Sequence, residues 1–153
     1  MLQRVQSIYI LMAAVMLAGF LFLPIAELVN IKFQIFSLKL TETVLINDQS
    51  FLYLTSKILK ITVWVIFSLI ISTLFLFKAR NTQFKLSVLS IILLIILNVA
   101  ELYFLNYFKL ESGFRVYYKL PFVFPLIGAI FLYLATRGIK KDEKLVRSYD
   151  RLR

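Results

Sequence analysis

The sequence predicts an all-α membrane protein: a four-transmembrane-helix bundle with a small extracytoplasmic β element and a short cytoplasmic C-terminal amphipathic helix. Three observations carry that prediction. Of 153 residues, 61% are hydrophobic and only 17% charged, and the mean hydropathy of +0.86 means more apolar surface than a water-soluble globule of this size can bury. The charges also avoid four stretches, 5–26, 61–77, 86–100 and 120–136, which are uncharged runs of 22, 17, 15 and 17 residues. Helices of about 17 to 22 residues reach roughly 25 to 33 Å, matching a hydrocarbon core of about 30 Å. Finally, the 18 basic residues divide unevenly between the two ends of such helices.

The first span, 5–26, follows Arg4 and resembles a secretory signal only superficially. Its uncharged run of 22 residues exceeds a signal core of about 7 to 15, and Leu23-Pro24-Ile25-Ala26-Glu27 offers no small-x-small cleavage pattern. A retained helix is expected. In the outer loop 27–57, Ile31, Phe33 and Ile35 alternate with Lys32 and Gln34, and Leu38 and Leu40 with Lys39 and Thr41. Val44 to Ile46 then precedes an Asn47-Asp48 turn signal, so two short strands are expected. Spans two and three, 58–77 and 86–105, flank a connection with Lys78, Arg80 and Lys85 and no acid.

The second outer loop, 106–119, is aromatic. Around the Glu111-Ser112-Gly113 turn signal stand Phe114, Tyr117 and Tyr118, preceded by Tyr103, Phe104, Tyr107 and Phe108. An isolated hairpin is marginal in water, so the outer segments are expected to pair with each other or rest on the bilayer surface, with the aromatics as interfacial belt residues. The fourth span, 120–137, opens with Pro121 and Pro125, which are tolerated at a helix start, and Gly138 is expected to end it. Ala14, Ala18 and Gly19 on span one and Gly128 with Ala129 on span four give small surfaces through which helices can approach closely.

Four spans put both termini on one side. That side, with the connection between spans two and three, carries eleven basic and three acidic residues, against seven basic and five acidic on the other. The positive-inside rule assigns both termini to the cytoplasm.

Cysteine and histidine are absent, which excludes thiolate nucleophiles, Cys/His zinc sites, haem attachment and Ser-His-Asp triads. Four glycines in no phosphate-cradling arrangement exclude a P-loop or dinucleotide fingerprint. A non-enzymatic protein without cofactor or metal is the expectation. The polar candidates near the spans are Glu27, Asn98 and Glu101, at the outer boundary. Asn98 lies one turn before Glu101 on the same helical face, and a membrane carboxylate can serve an ion pathway. The competing account is that Lys57, Lys60 and Lys119, on the same boundary, satisfy both acids by salt bridges or snorkelling.

The tail, 139–153, is the sharpest feature. On a helix, Leu145, Tyr149 and Leu152 fall at i, i+4 and i+7 with Val146 alongside, and Lys140, Lys144, Arg147 and Arg151 make a separate basic stripe. Asp142 is placed to cap the start of that helix, and Glu143 to pair with Arg147. Such a helix fits a protein partner, or anionic lipid headgroups at roughly 1 kcal/mol per basic residue. Without an aromatic platform or a recognition motif, nucleic acid is disfavoured.

The chain's two ends carry a resemblance. Met1-Leu2-Gln3-Arg4-Val5-Gln6-Ser7 and Lys141-Asp142-Glu143-Lys144-Leu145-Val146-Arg147-Ser148-Tyr149-Asp150-Arg151-Leu152-Arg153 resemble the ends of an uncharacterised, domain-of-unknown-function family of small four-helix inner-membrane proteins from Bacteroidota. Its members open on a Gln-Arg-Ile-Gln-Ser/Thr stretch and close on Lys-Asp-Glu-x-Leu-Val-Arg-Ser-x-Asp-Arg-Leu-Arg. The resemblance implies four spans and an inner-membrane location and brings no activity or catalytic residue. The expected function is an accessory or scaffolding subunit of a larger membrane assembly, with protein export or envelope biogenesis as a consistent setting. It would dock through the tail and the outer loops. The alternative is a small ion or solute transporter using Glu101 or Glu27.

Overall fold

Helix α1 (Leu2–Phe22) takes up the first apolar run but stops short of its end. Pro24 has no N–H to give Phe20 and disfavours helical backbone at Leu23, so the helix closes with Leu23 N–H donating to Gly19 O at 2.9 Å. A computed structural model describes this helix within residues 2–29, 35–40, 50–76, 79–112 and 115–150. Beyond Pro24 the chain is strand β1 (Ala26–Val29). The first span therefore ends before the expected residue 26, and Glu27 belongs to a strand.

Strand β1 is the centre of a three-stranded antiparallel sheet, between β2 (Ile35–Leu38) and β3 (Arg115–Tyr118). Glu27 stands opposite Ser37 on one side and Tyr117 on the other. Ile25 N–H to Leu38 O at 2.9 Å and Lys119 N–H to Ile25 O at 2.8 Å carry the hydrogen bonding one step past both pairings. The two outer segments thus pair with each other, as their isolation in water requires. Ala26 and Leu28 face inward and are fully buried, while Glu27 and Val29 are half-buried, the two-residue alternation of a strand with one covered face. The expected strand residues Ile31, Phe33, Val44 and Ile46 and the Asn47-Asp48 turn lie outside the described residues.

The other helices are α2 (Ser50–Phe75), α3 (Arg80–Ser112) and α4 (Phe124–Asp150), the last entered through a 3-10 turn, Leu120–Val123, with Pro121 in its first positions. All four helices are long and apolar enough to cross a membrane. Helices α2, α3 and α4 all differ from expectation, α2 by starting at Ser50, inside the expected outer loop 27–57 and before the expected span 58–77. Helix α3 has 33 residues, starting before the expected 86 and running past the expected 105 through the loop residues Tyr107 and Phe108 to Ser112, about 50 Å in all. Glu101, Phe104 and Leu105 are buried while Leu102 and Tyr103 are exposed, so a helical burial period simply continues past the charged residue.

Helix α4 runs unbroken through Gly138 to Asp150. The tail is not a separate helix, and Asp142 caps nothing, because it sits in a helix interior. Gly138 does not stop the helix. A helical glycine costs only about 1 kcal/mol relative to alanine, and here it makes room: a Cβ at Gly138 would lie 2.9 Å from Cγ of Gln6.

The helices form a four-cornered bundle in which α1 packs on α4 and α2, and α3 on α4 and α2. Along α1 and α4, Gln6 meets Gly138, Ala13 and Met16 meet Gly128, and Gly19 meets Phe124, a continuous antiparallel register. Of the small residues expected to allow close approach, Gly19 and Gly128 do face a partner helix, where a small side chain lets backbones close in. Leu17, Phe20, Ile66, Leu94 and Leu132 fill the centre. Outward-facing residues are equally apolar, as with Phe75 at 76% and Val99 at 64% exposure, the pattern of helices whose surroundings are not water.

Candidate functional site

Polar side chains gather at the two ends of the bundle. At the end where the termini lie, Gln6 is buried on α1 and its Nε2 donates to Asp142 Oδ2 at 2.6 Å, across 136 residues of sequence. The bond forms because Gly138, one helical turn before Asp142, lets the Gln6 stem pass against the α4 backbone. The two stretches that carry the sequence resemblance thereby meet at Gln6 and Asp142, through a hydrogen bond to a carboxylate worth about 1.5–3 kcal/mol where water is excluded. Lys140 Nζ lies 5.9 Å from the centre of the Phe84 ring. This places the head of the basic stripe over α3, a contact of about 0.5–1 kcal/mol at an exposed position.

The same end has a buried polar layer that charge counting does not reveal. Gln83 Nε2 donates to Thr73 O at 3.0 Å, tying the first turn of α3 to the last turn of α2. Ser87, Ser90 and Thr136 are buried, with hydroxyls donating to carbonyls one turn back, the usual way a membrane-facing or buried helix accommodates them. Beyond Glu143 the backbone is helical to Asp150. The side chains of Lys144, Leu145, Val146, Arg147 and Tyr149, and residues Arg151 and Leu152, lie outside the described residues, as does the expected Glu143–Arg147 pair.

At the sheet end the three polar candidates separate. Glu27 is ion-paired with Lys119. The register of β1 on β3 brings this about, since it sets Glu27 beside Tyr117 and leaves Lys119 just past the strand. Both side chains are more than a third exposed, so the pair contributes at most about 1 kcal/mol. Asn98 turns into the bundle and its Nδ2 donates to Phe122 O at 3.2 Å, in the 3-10 turn. Glu101, one turn further along, is 3% exposed, and neither of its carboxyl oxygens has a hydrogen-bond partner among the described residues. The salt-bridge account thus describes Glu27 and not Glu101. Nearby, Tyr118 stacks at a tilt on Phe122 with ring centres 5.0 Å apart, and its hydroxyl lies 3.4 Å from Asn106 Oδ1.

Sequence reasoning missed the contact of Gln6 with Gly138 and Asp142, taking Gly138 for a helix end, and missed Gln83 altogether. The signal for that contact was the small-residue register of α1 against α4, which continues to the glycine and so predicts what stands opposite it. Among the described residues no three of His, Cys, Asp or Glu gather. Four antiparallel apolar helices, covered at one end by strands and extended at the other by a helix carrying a basic stripe, define a class of small four-helix proteins whose helices are long and apolar enough to cross a membrane. The chain belongs to the family described as Domain of unknown function (DUF4293), which it matches over residues 2–152. No curated protein and no solved structure matches it.

Proposed function

We propose that the protein is a non-enzymatic accessory or scaffolding subunit of a larger assembly in a bacterial inner membrane, with four spans and both termini in the cytoplasm. The observation that carries this reading is the unbroken course of α4, 27 residues from Phe124 to Asp150, about 40 Å long. It leaves the bundle as a helix rooted by the Gln6–Asp142 bond. A docking element held this way loses little conformational freedom on binding, which lowers the cost of association. Arg137, Lys140 and Lys141 are exposed at its root, and the stripe continues in the sequence as Lys144, Arg147 and Arg151. The outer strands supply a second contact surface, and a role in protein export or envelope biogenesis in Bacteroidota is consistent with contacts on both sides.

Anionic lipid headgroups are the competing occupant of the stripe, and truncation separates the two. Deleting residues 144–153 retains Asp142 and the bundle. The full chain purified in mild detergent elutes with a stoichiometric protein partner, and the truncated chain elutes alone with unchanged helix content in its spans. A monodisperse, partner-free full chain that behaves the same after truncation overturns the reading.

Transport is the weaker account. Glu27 is engaged by Lys119, and Leu94, Leu97 and Leu132, each at most 1% exposed, fill the bundle between Glu101 and the polar layer at the far end. Solute or ion flux unchanged by Glu101→Gln and Glu27→Gln removes it.

A further inference from the structure

We propose that Glu101, with Asn98, forms a binding site for one small monovalent cation, a proton or an alkali ion, beneath the sheet end of the bundle. The starting point is an imbalance. A carboxylate in an apolar interior is retained when it is paired, hydrogen-bonded or neutralised, and Glu101 is 3% exposed with both oxygens unpartnered among the described residues. Among the described residues, the surrounding charged and titratable groups do not supply the missing counter-charge. On the approach to α4, Lys119 is taken by Glu27. On α2, Lys57 is exposed and has a contact of its own, and Lys60 is half-buried with no bond to the carboxyl. On α3, Tyr103 and Lys109 are exposed and Tyr107 is engaged elsewhere. On α1 the titratable residues are Arg4 and Tyr9, both toward the opposite end of the helix.

The same level of the bundle is rich in oxygen. Leu94 stands against Gly128 and Asn98 against Phe122, so Glu101 lies one helical turn nearer the sheet than the Asn98–Phe122 contact. The α1–α4 register, with Gly19 at Phe124, puts the end of α1 at that level too. There Phe20 O has lost its helical donor, because Pro24 has no N–H. Leu21 O has lost its own as well, because Ile25 N–H is given to Leu38 O. Both residues are buried, and a helix C-terminus carries negative partial charge. The amide oxygen of Asn98 is not used by the bond its nitrogen makes to Phe122 O.

One carboxylate and neutral oxygens suit a single positive charge. Calcium and magnesium sites draw on more anionic ligands or retained water, and a chain with no Cys and no His lacks the ligands transition metals prefer.

The test uses the full-length protein in detergent and a hydrophobic carbodiimide, which reacts with a membrane-embedded carboxyl in its protonated form, with labelling mapped to the Glu101 peptide. Thermal unfolding is followed in parallel, since a ligand bound to the folded state raises Tm. Labelling that sodium or lithium chloride suppresses and choline chloride does not, with a Tm rise on adding the alkali salt, identifies an alkali ion. Labelling indifferent to alkali salt but falling as pH rises, with Tm falling in step, identifies a proton. In both cases Glu101→Gln loses the labelling and the dependence of Tm, and Asn98→Ala weakens the alkali response. If Glu101 goes unlabelled and the wild-type Tm follows salt and pH as the Glu101→Gln Tm does, the site does not exist. A Tm dependence lost in Glu101→Gln supports it even where the reagent fails to enter.

Discussion

Three glycines on two helices illustrate how much a single hydrogen atom decides. A Cβ at Gly128 would meet Ala13 O at 3.6 Å and Leu94 Cδ1 at 3.8 Å, ordinary contact distances, whereas at Gly138 it would meet Gln6 Cγ at 2.9 Å and at Gly19 a Phe124 ring carbon at 2.8 Å. Gly128→Ala is therefore expected to be neutral or to stabilise by up to about 1 kcal/mol through helix propensity. Gly138→Val is expected to destabilise by about 1–3 kcal/mol, because Gln6 cannot retreat without releasing Asp142. Thermal unfolding of the two variants in one detergent checks the order, and Gln6→Ala in the Gly138→Val background should recover part of the loss, since it removes the obstructing stem. The sequence carries Gln6, Gly138 and Asp142 in plain view, yet their meeting depends on the antiparallel register of two helices, which no local pattern encodes. Glu27 and Glu101 are likewise indistinguishable as letters near a boundary. What separates them is that one falls on a strand beside Lys119 and the other on the inner face of α3.

Helix α4 is the element on which function is argued, and its continuity is its testable property. A helix carried through Gly138 predicts hydrogen exchange in which the amides from Thr136 to Asp142 are protected as one segment. A fourth span ending at Gly138, followed by a separate tail helix, would instead show fast exchange at Ile139 and Lys140. The elements that were legible in the sequence are those whose signal is local: four uncharged runs became four helices because apolarity over about 20 residues dictates a helix wherever backbone groups must bond internally. Strand β1 was hidden because Ala26-Glu27-Leu28-Val29 continues an apolar run, and only Pro24 marks the break. The full length of α3 was hidden because a span of membrane length, 86–105, was expected to end soon after the boundary residue Glu101. The spacing of Leu97, Glu101, Phe104 and Leu105, all buried, holds the helical period straight through it.

At the scale of the whole molecule, the bundle has one end closed by strands and one end from which a helix emerges, and the proposed orientation puts the emerging helix in the cytoplasm. The chain has no cysteine, so single introduced cysteines report sidedness without background. In intact cells, a cysteine at Arg115 should react with an impermeant thiol reagent and one at Thr82 should react after lysis alone. The reverse pattern would invert the topology. Four apolar helices and a basic end were readable from charge and hydropathy, but the proposed function rests on what the projecting helix would touch, and the identity of such a partner leaves no periodicity in this chain. The most direct test places a photo-crosslinking amino acid at Arg147 in the full-length protein in living cells. The account predicts one discrete protein adduct, absent when the crosslinker sits at Thr82. Crosslinks to lipid alone, or a smear of unrelated proteins indistinguishable from the control position, would contradict it.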